Sequence, residues 1–224
     1  MLLILSAAMA AQLPEYSTRV ERSWAVSNGV TVDIYNKYGK VQVVNWDKDS
    51  VRIRIDLHIR AKDQARLQKL RQGVDFDFTP GQHYLVAHTR LGDKGDDVFK
   101  DLVDIAGYYL QPSTSVTIDY LVSVPPTANL RIENKFGNVY LDDPSGSVNL
   151  NLSYGNLTCN RLTARSELRV TGGDADISYI RDAQVYLSYG NLRIHEAGNL
   201  FTETRSAAVN IDRCASLKVD SRRD

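Results

Sequence analysis

The feature that most restricts the fold of this chain is a glycine-centred motif that recurs along it. The hexapeptide LSYGNL occurs at 152–157 and again at 187–192, and related segments are NKYGKV from Asn36 and NKFGNV from Asn134. From the second motif glycine onward, successive copies are 18, 18, 17 and 17 residues apart, the last being a degenerate copy at Ala207. The motif glycines are Gly39, Gly137, Gly155, Gly173 and Gly190.

Each glycine is followed by two apolar residues in alternation, and a second alternating segment precedes the next glycine. Alternation of period two predicts strands with one buried face, and a near-constant interval predicts stacked supersecondary units. An interval of 17–18 residues holds two short strands and two turns, too little for a propeller blade of about 40 residues. The sequence therefore predicts an all-β fold, a parallel β-helix or β-solenoid, with glycines at corners that need positive φ.

An aromatic residue precedes most of the motif glycines. In stacked units, equivalent positions lie above one another, so we expect Phe136 to stack on Tyr154 and Asn138 to lie over Asn156. Two interpretations are open: the row only supports the scaffold, or its rings bind sugars. The predicted aromatic ladder is Tyr38, Phe136, Tyr154 and Tyr189, interrupted by Gly172 and Ser206.

The two cysteines, Cys159 and Cys214, lie three repeats apart. Strand spacing places them about 14 Å apart along the stack. A disulfide requires Cα atoms within about 7 Å. We therefore predict two unpaired thiols, with Cys159 buried at a position that other copies fill with Val, Leu or Ile.

The chain is predicted to hold one solenoid domain over residues 24–224. Its N-terminal part, 24–126, contains strands, a helix over about 62–72 that ends at Gly73, and an irregular insert over 92–115. The regular repeats occupy 127–224. The N-terminal part would cap one end of the stack. At the other end, either Arg222, Arg223 and Asp224 protect the edge or the chain is a fragment.

The first residues have the pattern of a targeting signal. The segment MLLILSAAMA is a short apolar run ending in Ala8-Met9-Ala10, a small-x-small cleavage site. Residues 1–11 are therefore predicted to be a signal peptide, with a buried N-terminal strand as the alternative. The run is too short to span a bilayer, and no later segment reaches transmembrane length. We expect an exported protein of the periplasm or the cell surface.

Three segments together resemble a known family. They are VDIYNKYGKVQVVNW, VSVPPTANLRIENKFGNVYLDD and the later YGNL copies. They resemble the DUF4097 putative-adhesin family of exported bacterial β-strand-repeat proteins, over most of the chain from Trp24 onward. The resemblance implies a β-helix-like fold and an envelope location, and it carries no catalytic residues with it.

The charge and the polar residues restrict the function classes. Lys+Arg and Asp+Glu both number 27, so the chain lacks the basic excess typical of nucleic-acid binders. Asp174 and Asp176 share a strand face and would suit an inverting pair of carboxyls or a weak calcium site, or they are outward residues of a solvated face. The acidic insert could also bind a cation, through Asp93, Asp96, Asp97, Asp101 and Asp104, but it lacks the spacing of an EF-hand loop. The histidines are scattered: His58, His83, His88 and His195.

These patterns predict no catalytic residues, no cofactor and no metal site. Our first hypothesis is a non-catalytic exported solenoid that serves as an adhesin-like or scaffold module in the bacterial cell envelope. Its partner would be an unidentified envelope protein or glycan, bound on a flat face near Arg205, Arg213 and the tyrosines, and not a nucleic acid. The alternative is a carbohydrate-binding or polysaccharide-cleaving β-helix protein.

Overall fold

A computed structural model describes residues 13–92 and 113–222 of the chain. The predicted signal peptide, residues 93–112 of the predicted insert, and Arg223 and Asp224 lie outside the described residues. In the part that is described, no helix is long and apolar enough to cross a membrane.

The described chain is built from strands and one short helix. In chain order the elements are β1 (Glu15–Ala25), β2 (Thr31–Lys37), β3 (Val41–Asn45), β4 (Ser50–Arg60), α1 (Gln64–Gln72), β5 (Val74–Pro80), β6 (Tyr84–Leu91), β7 (Ser115–Val124), β8 (Asn129–Lys135), β9 (Val139–Leu141), β10 (Val148–Ser153), β11 (Leu157–Leu162), β12 (Ser166–Thr171) and β13 (Ala175–Arg222).

All strands belong to one sheet with the order β1-β4-β7-β3-β9-β11-β13-β12-β10-β8-β2-β6-β5. The sheet is mixed, because β4 pairs antiparallel with both β1 and β7, and β5 pairs antiparallel with β6. The prediction of a parallel β-helix or β-solenoid is therefore wrong, although the all-β class is correct. The strands form a nearly closed mixed barrel. The element β13 is 48 residues long and lies between β11 and β12, so it joins the strands on its two sides into one sheet.

The repeat interval of the sequence reappears as the register between parallel neighbours. In one row, Leu130 pairs with Val148, which pairs with Ser166, which pairs with Ala183. In the other row, Val139 pairs with Leu157, which pairs with Ala175. Residues that are one repeat interval apart in the sequence therefore lie side by side in neighbouring strands.

The core is the inward face of this sheet. Alternate residues of each strand are buried, as in β10, where Val148, Leu150 and Leu152 point inward and Asn149 and Asn151 outward. Burial of each such aliphatic side chain contributes about 1.5–3 kcal/mol. The helix α1 adds Leu67 and Leu70 to the core. Asp63 caps its N-terminus, because the Asp63 Oδ1 accepts a hydrogen bond from Arg66 N at 2.7 Å.

A polar network is buried among the N-terminal strands. The Thr89 hydroxyl donates to Asn36 Oδ1 at 3.1 Å and lies 2.7 Å from the Tyr120 hydroxyl, which is therefore the donor of that bond. Asn36 Nδ2 donates to the Ile118 carbonyl at 3.0 Å. Burial raises the pKa of Tyr120 above its ordinary value, so this hydroxyl stays neutral and keeps its proton for Thr89.

The two cysteines are free, and Cys159 is buried, as the sequence predicts. Cys159 lies on β11 and pairs with Leu141 and Ile177 in the neighbouring strands. Burial raises the pKa of Cys159 to about 12. Because the thiolate is the reactive form, the folded protein holds this thiol in an unreactive state.

The difference in burial predicts the outcome of thiol labelling. At mildly alkaline pH, a water-soluble disulfide reagent should modify Cys214 in the folded protein and reach Cys159 only after the protein unfolds. A Cys214→Ser variant should then show almost no labelling until denaturant is added, whereas Cys159→Ser should label at the rate of the native protein. Rapid labelling of folded Cys214→Ser would contradict the burial of Cys159.

Candidate functional site: an aromatic edge

The motif glycines form a column in which backbones touch. A Cβ atom on Gly137 would lie 1.9 Å from the Gly39 carbonyl oxygen, and one on Gly155 would lie 2.1 Å from the Gly137 carbonyl oxygen. The same close approach recurs at Gly173 and Gly190. The expectation that these glycines take positive φ is wrong, because the positive φ belongs to the preceding residues, such as Tyr38 at 67°. Glycine is needed here for close approach of the backbone.

Two asparagines explain why the first two motifs begin with Asn-Lys. Asn36 and Asn134 are buried. Asn134 Nδ2 donates to the carbonyl oxygens of both Gly39, at 3.0 Å, and Gly137, at 2.8 Å. One side chain therefore fixes two successive corners, which makes this end of the glycine column rigid.

The residues before the glycines form a row across the ends of β2, β8 and β10 and onto β13. The rings of Tyr38 and Phe136 are stacked with centroids 5.6 Å apart and an interplanar angle of 8°. Phe136 and Tyr154 are stacked at 5.2 Å and 11°. Tyr38 is 3% exposed, Tyr154 is 44% exposed and Tyr189 is 54% exposed. We call this row of four rings the aromatic edge; its solvent-accessible end is formed by Tyr154 and Tyr189.

Cationic side chains lie over several of these rings. Lys37 Nζ lies 4.7 Å from the Tyr38 centroid, and Lys135 Nζ lies 5.0 Å from that of Phe136. Arg205 Cζ lies 5.8 Å from the Tyr189 centroid. Partial burial lowers the pKa of Lys37. Sequence reasoning placed Arg205 near the tyrosines but missed the two lysines, although Lys directly precedes the aromatic residue in both Asn-Lys-aromatic-Gly segments.

The row is interrupted between Tyr154 and Tyr189. Parallel pairing places Ser153 beside Thr171 and Thr171 beside Ser188. The next residue of each strand is therefore Tyr154, Gly172 and Tyr189 in turn. The Tyr154 ring covers Gly172, because a Cβ on Gly172 would lie 2.9 Å from the Tyr154 Cδ1. The stacked contacts join Tyr38, Phe136 and Tyr154, and Tyr189 stands beyond Gly172.

A polar ladder runs alongside the aromatic edge. Asn138 Oδ1 accepts from Asn156 N at 2.9 Å, and Asn156 Oδ1 accepts from Asp174 N at 2.9 Å. Asp174 Oδ1 accepts from both Asn191 N and Asn191 Nδ2 at 2.8 Å. Each side chain thus satisfies a backbone donor in the next strand, and the ladder fixes the spacing of the rings.

The other candidate residues are distributed over the surface. Asp176 lies 3.5 Å from Arg193, and Arg213 lies 3.1 Å from Glu196. His195 Nδ1 lies 2.6 Å from Asp212. His58 contacts Ser17 and His88 packs on Tyr35. Among residues 13–92 and 113–222, no three His, Cys, Asp or Glu side chains gather in a way that could hold a metal ion.

Comparisons with known proteins give only distant structural likenesses. No protein-family model and no curated protein matches the chain. A putative cell adhesion protein from Clostridium sporogenes aligns with a TM-score of 0.38 and 6% identity, over 92% of this chain and 99% of that one. A putative adhesin from Bacteroides fragilis aligns with a TM-score of 0.33 and 10% identity, over 92% and 95%.

A third solved structure, a putative adhesin from Parabacteroides distasonis, aligns with a TM-score of 0.27 and 10% identity, over 92% of this chain and 96% of that one. These proteins are named as putative adhesins or cell adhesion proteins. At such low similarity, membership of this chain in the DUF4097 family stays a prediction.

Proposed function

We propose that this protein is a non-catalytic, adhesin-like binding module of the bacterial cell envelope, and that it holds its ligand on the aromatic edge. The observation that carries the proposal is the exposure of Tyr154 (44%) and Tyr189 (54%) in a row of rings. The proposed location, the periplasm or the cell surface, is supported by the N-terminal targeting pattern.

Exposed aromatic rings favour binding when they are held rigidly. Tyrosine offers a large contact area for little loss of side-chain entropy, and arginine and tyrosine are enriched where binding energy concentrates. Here the Tyr154 ring stacks on Phe136 at 5.2 Å, and the backbone beneath it is fixed by Gly137 and Gly155. A ligand therefore meets a preorganised surface, which lowers the entropic cost of association.

The carboxylates near the edge have structural contacts. Asp174 accepts two hydrogen bonds from Asn191, and Asp176 faces Arg193 at 3.5 Å. Both interactions join positions one repeat apart, so these residues support an assignment to binding and scaffolding over polysaccharide cleavage.

The proposal predicts that binding depends on the two exposed edge rings. A Tyr154→Ala, Tyr189→Ala double variant should lose about five- to 150-fold in affinity, because the two lost ring contacts are together worth about 1–3 kcal/mol. Fluorescently labelled protein applied to extracted bacterial envelopes and to an array of bacterial and host glycans measures this loss.

The matched control is Tyr84→Ala, because this tyrosine is 52% exposed but lies at the start of β6, beside Thr31 and away from the aromatic edge. It should bind as the native protein does. Equal binding by the double variant and by Tyr84→Ala would refute the aromatic edge as the site. Release of new reducing ends from a bound polysaccharide, abolished by Asp174→Ala and Asp176→Ala, would refute the non-catalytic assignment.

A further inference from the structure

The last part of β13 continues the inward apolar pattern of the sheet into a region that the sheet no longer covers. Leu200 and Thr202 face inward and are 3% and 0% exposed. Their equivalents 17 residues later are Leu217 and Val219, which are 47% and 48% exposed. All residues of the segment 217–222, which we call the outer segment, are exposed. Within the described part of the chain, nothing therefore covers its apolar face.

Contacts at the same interval of 17 residues show where the outer segment lies. Lys218 Nζ is 5.6 Å from the centroid of the Phe201 ring, and just before the segment Arg213 is 3.1 Å from Glu196. One side of the outer segment therefore lies against the preceding part of β13. Its apolar side chains are left in water, and an uncovered strand is a template for pairing with another chain.

The opposite end of the strand order is closed by the helix. The strands β1 and β5 stand at the two ends of that order. The helix α1 contacts β1, β4 and β5, and its Leu67 and Leu70 are buried in the core. A second copy therefore has no open strand end at α1 on which to stack the outer segment, and this disfavours a head-to-tail chain of molecules. The arrangement that remains joins two outer segments about a two-fold axis.

The charges of the outer segment are self-complementary in one register. Directly opposite residues of an antiparallel pair lie on the same face, so Lys218, Asp220 and Arg222 would face their own kind in the second copy. A two-fold axis at Lys218 would bring two lysines together, and one at Asp220 would bring two aspartates together. An axis at Val219 places Lys218 opposite Asp220 of the second copy, and symmetry produces this pair twice.

Pairing of opposite charges one interval apart is already the pattern within β13. Asp176 lies 3.5 Å from Arg193, and Glu196 lies 3.1 Å from Arg213. The register centred on Val219 continues this pattern across the axis. It also places Val219 against Val219 of the second copy, on the face where the preceding part of β13 is buried.

We propose that the outer segment pairs antiparallel with the outer segment of a second copy, about a two-fold axis at Val219, to form a homodimer. The inference goes beyond the proposed function, because the dimer forms whether or not the aromatic edge binds a ligand. A dimer carries two aromatic edges, and two linked sites bind a repetitive surface with higher avidity than one.

Charge reversal tests the pairing. Lys218→Asp places two aspartates opposite one another at both symmetry-related positions, and Asp220→Lys does the same with two lysines. Each single variant should raise the Kd of the dimer by about fivefold or more. The double variant restores opposite charges and should dimerise as the native protein does. The matched control is Lys62→Asp, which reverses an exposed lysine beside α1 and should leave the Kd unchanged.

Sedimentation equilibrium measures these dissociation constants, and circular dichroism confirms that each variant is folded. A disulfide tests the register. Opposite residues of an antiparallel pair have Cα atoms about 4.5–5.5 Å apart, a distance that a disulfide spans. In a Cys214→Ser background, Val219→Cys should therefore link two copies under mild oxidation. Ser221→Cys should not, because it lies opposite Leu217 of the second copy.

A monomer at the highest soluble concentration would overturn the dimer and would show that the charges of the outer segment prevent pairing. A dimer that both single reversals leave unchanged would overturn this interface, as would a folded double variant that stays monomeric. Linking of Ser221→Cys as readily as Val219→Cys would overturn the register. Larger assemblies that Lys62→Asp dissolves would place the contact at the α1 end and overturn the two-fold arrangement.

Discussion

Alanine in place of Gly155 is expected to destabilise the protein by more than about 3 kcal/mol, a loss in the range reserved for changes that disrupt the core or the backbone. The added Cβ would lie 2.1 Å from the Gly137 carbonyl oxygen and 2.6 Å from its carbonyl carbon. A carbon normally approaches a carbonyl oxygen no closer than about 3.3 Å. Both partners are backbone atoms in paired strands, so relief requires that the strands separate and lose hydrogen bonds on both sides of the corner.

Gly29→Ala is the control that isolates this clash. Gly29 has φ +71°, and a Cβ there would meet nothing within 4 Å. This substitution should therefore cost only the left-handed conformation, about 1–2 kcal/mol. Urea unfolding of the two variants, followed by far-UV circular dichroism, measures the difference in the free energy of unfolding. Equal losses would show that contact between corner backbones contributes nothing beyond the backbone conformation.

The glycine column shows what the sequence could and could not predict. The interval between copies identified the corner residues, because parallel neighbours repeat the same pattern in the same register. The interval did not reveal why glycine is required. The repeated Tyr-Gly pair contains one residue with positive φ and one with close backbone contact, and the sequence does not identify which residue has which role. The structure assigns positive φ to Tyr154 and close contact to Gly155.

The overall architecture could not be predicted from the sequence, for a related reason. Alternation in Ser50–Arg60 predicts a strand with one solvent-exposed face. Nothing in the alternation specifies which strands it pairs with, or whether the pairing is parallel or antiparallel. The structure pairs this strand antiparallel on both sides, with β1 and with β7. A solenoid was inferred by extending the parallel register of the repeats to strands that do not share their motif.

The aromatic edge was accessible from sequence in part. Stacked rings follow from equivalent positions in a parallel register, and Phe136 and Tyr154 do lie 5.2 Å apart. The cations over the rings depend on side-chain conformations, which the repeat does not determine.

Replacing Asn36 with alanine is expected to cost about 2–4 kcal/mol, because it leaves buried polar groups without partners. Asn36 Nδ2 donates to the Ile118 carbonyl at 3.0 Å and to the Gly39 carbonyl at 3.4 Å, and its Oδ1 accepts from Thr89 at 3.1 Å. Water does not readily reach these atoms, since Asn36 and Thr89 are both buried. Alanine would also leave a cavity where the amide stood.

Asn138→Ala provides the matched comparison, because Asn138 is only partly buried and its Oδ1 accepts a single hydrogen bond, from Asn156 N at 2.9 Å. Solvent can take over that bond, so the loss should stay below about 1 kcal/mol. Chemical denaturation measures both values. The Asn36 variant should also speed hydrogen exchange at the Ile118 amide, which pairs with the Tyr38 carbonyl at 2.9 Å, because the corner that Asn36 ties to β7 would open more often. If the two asparagines proved equal in cost, the buried network would be a consequence of the fold and not one of the interactions that hold its N-terminal strands together.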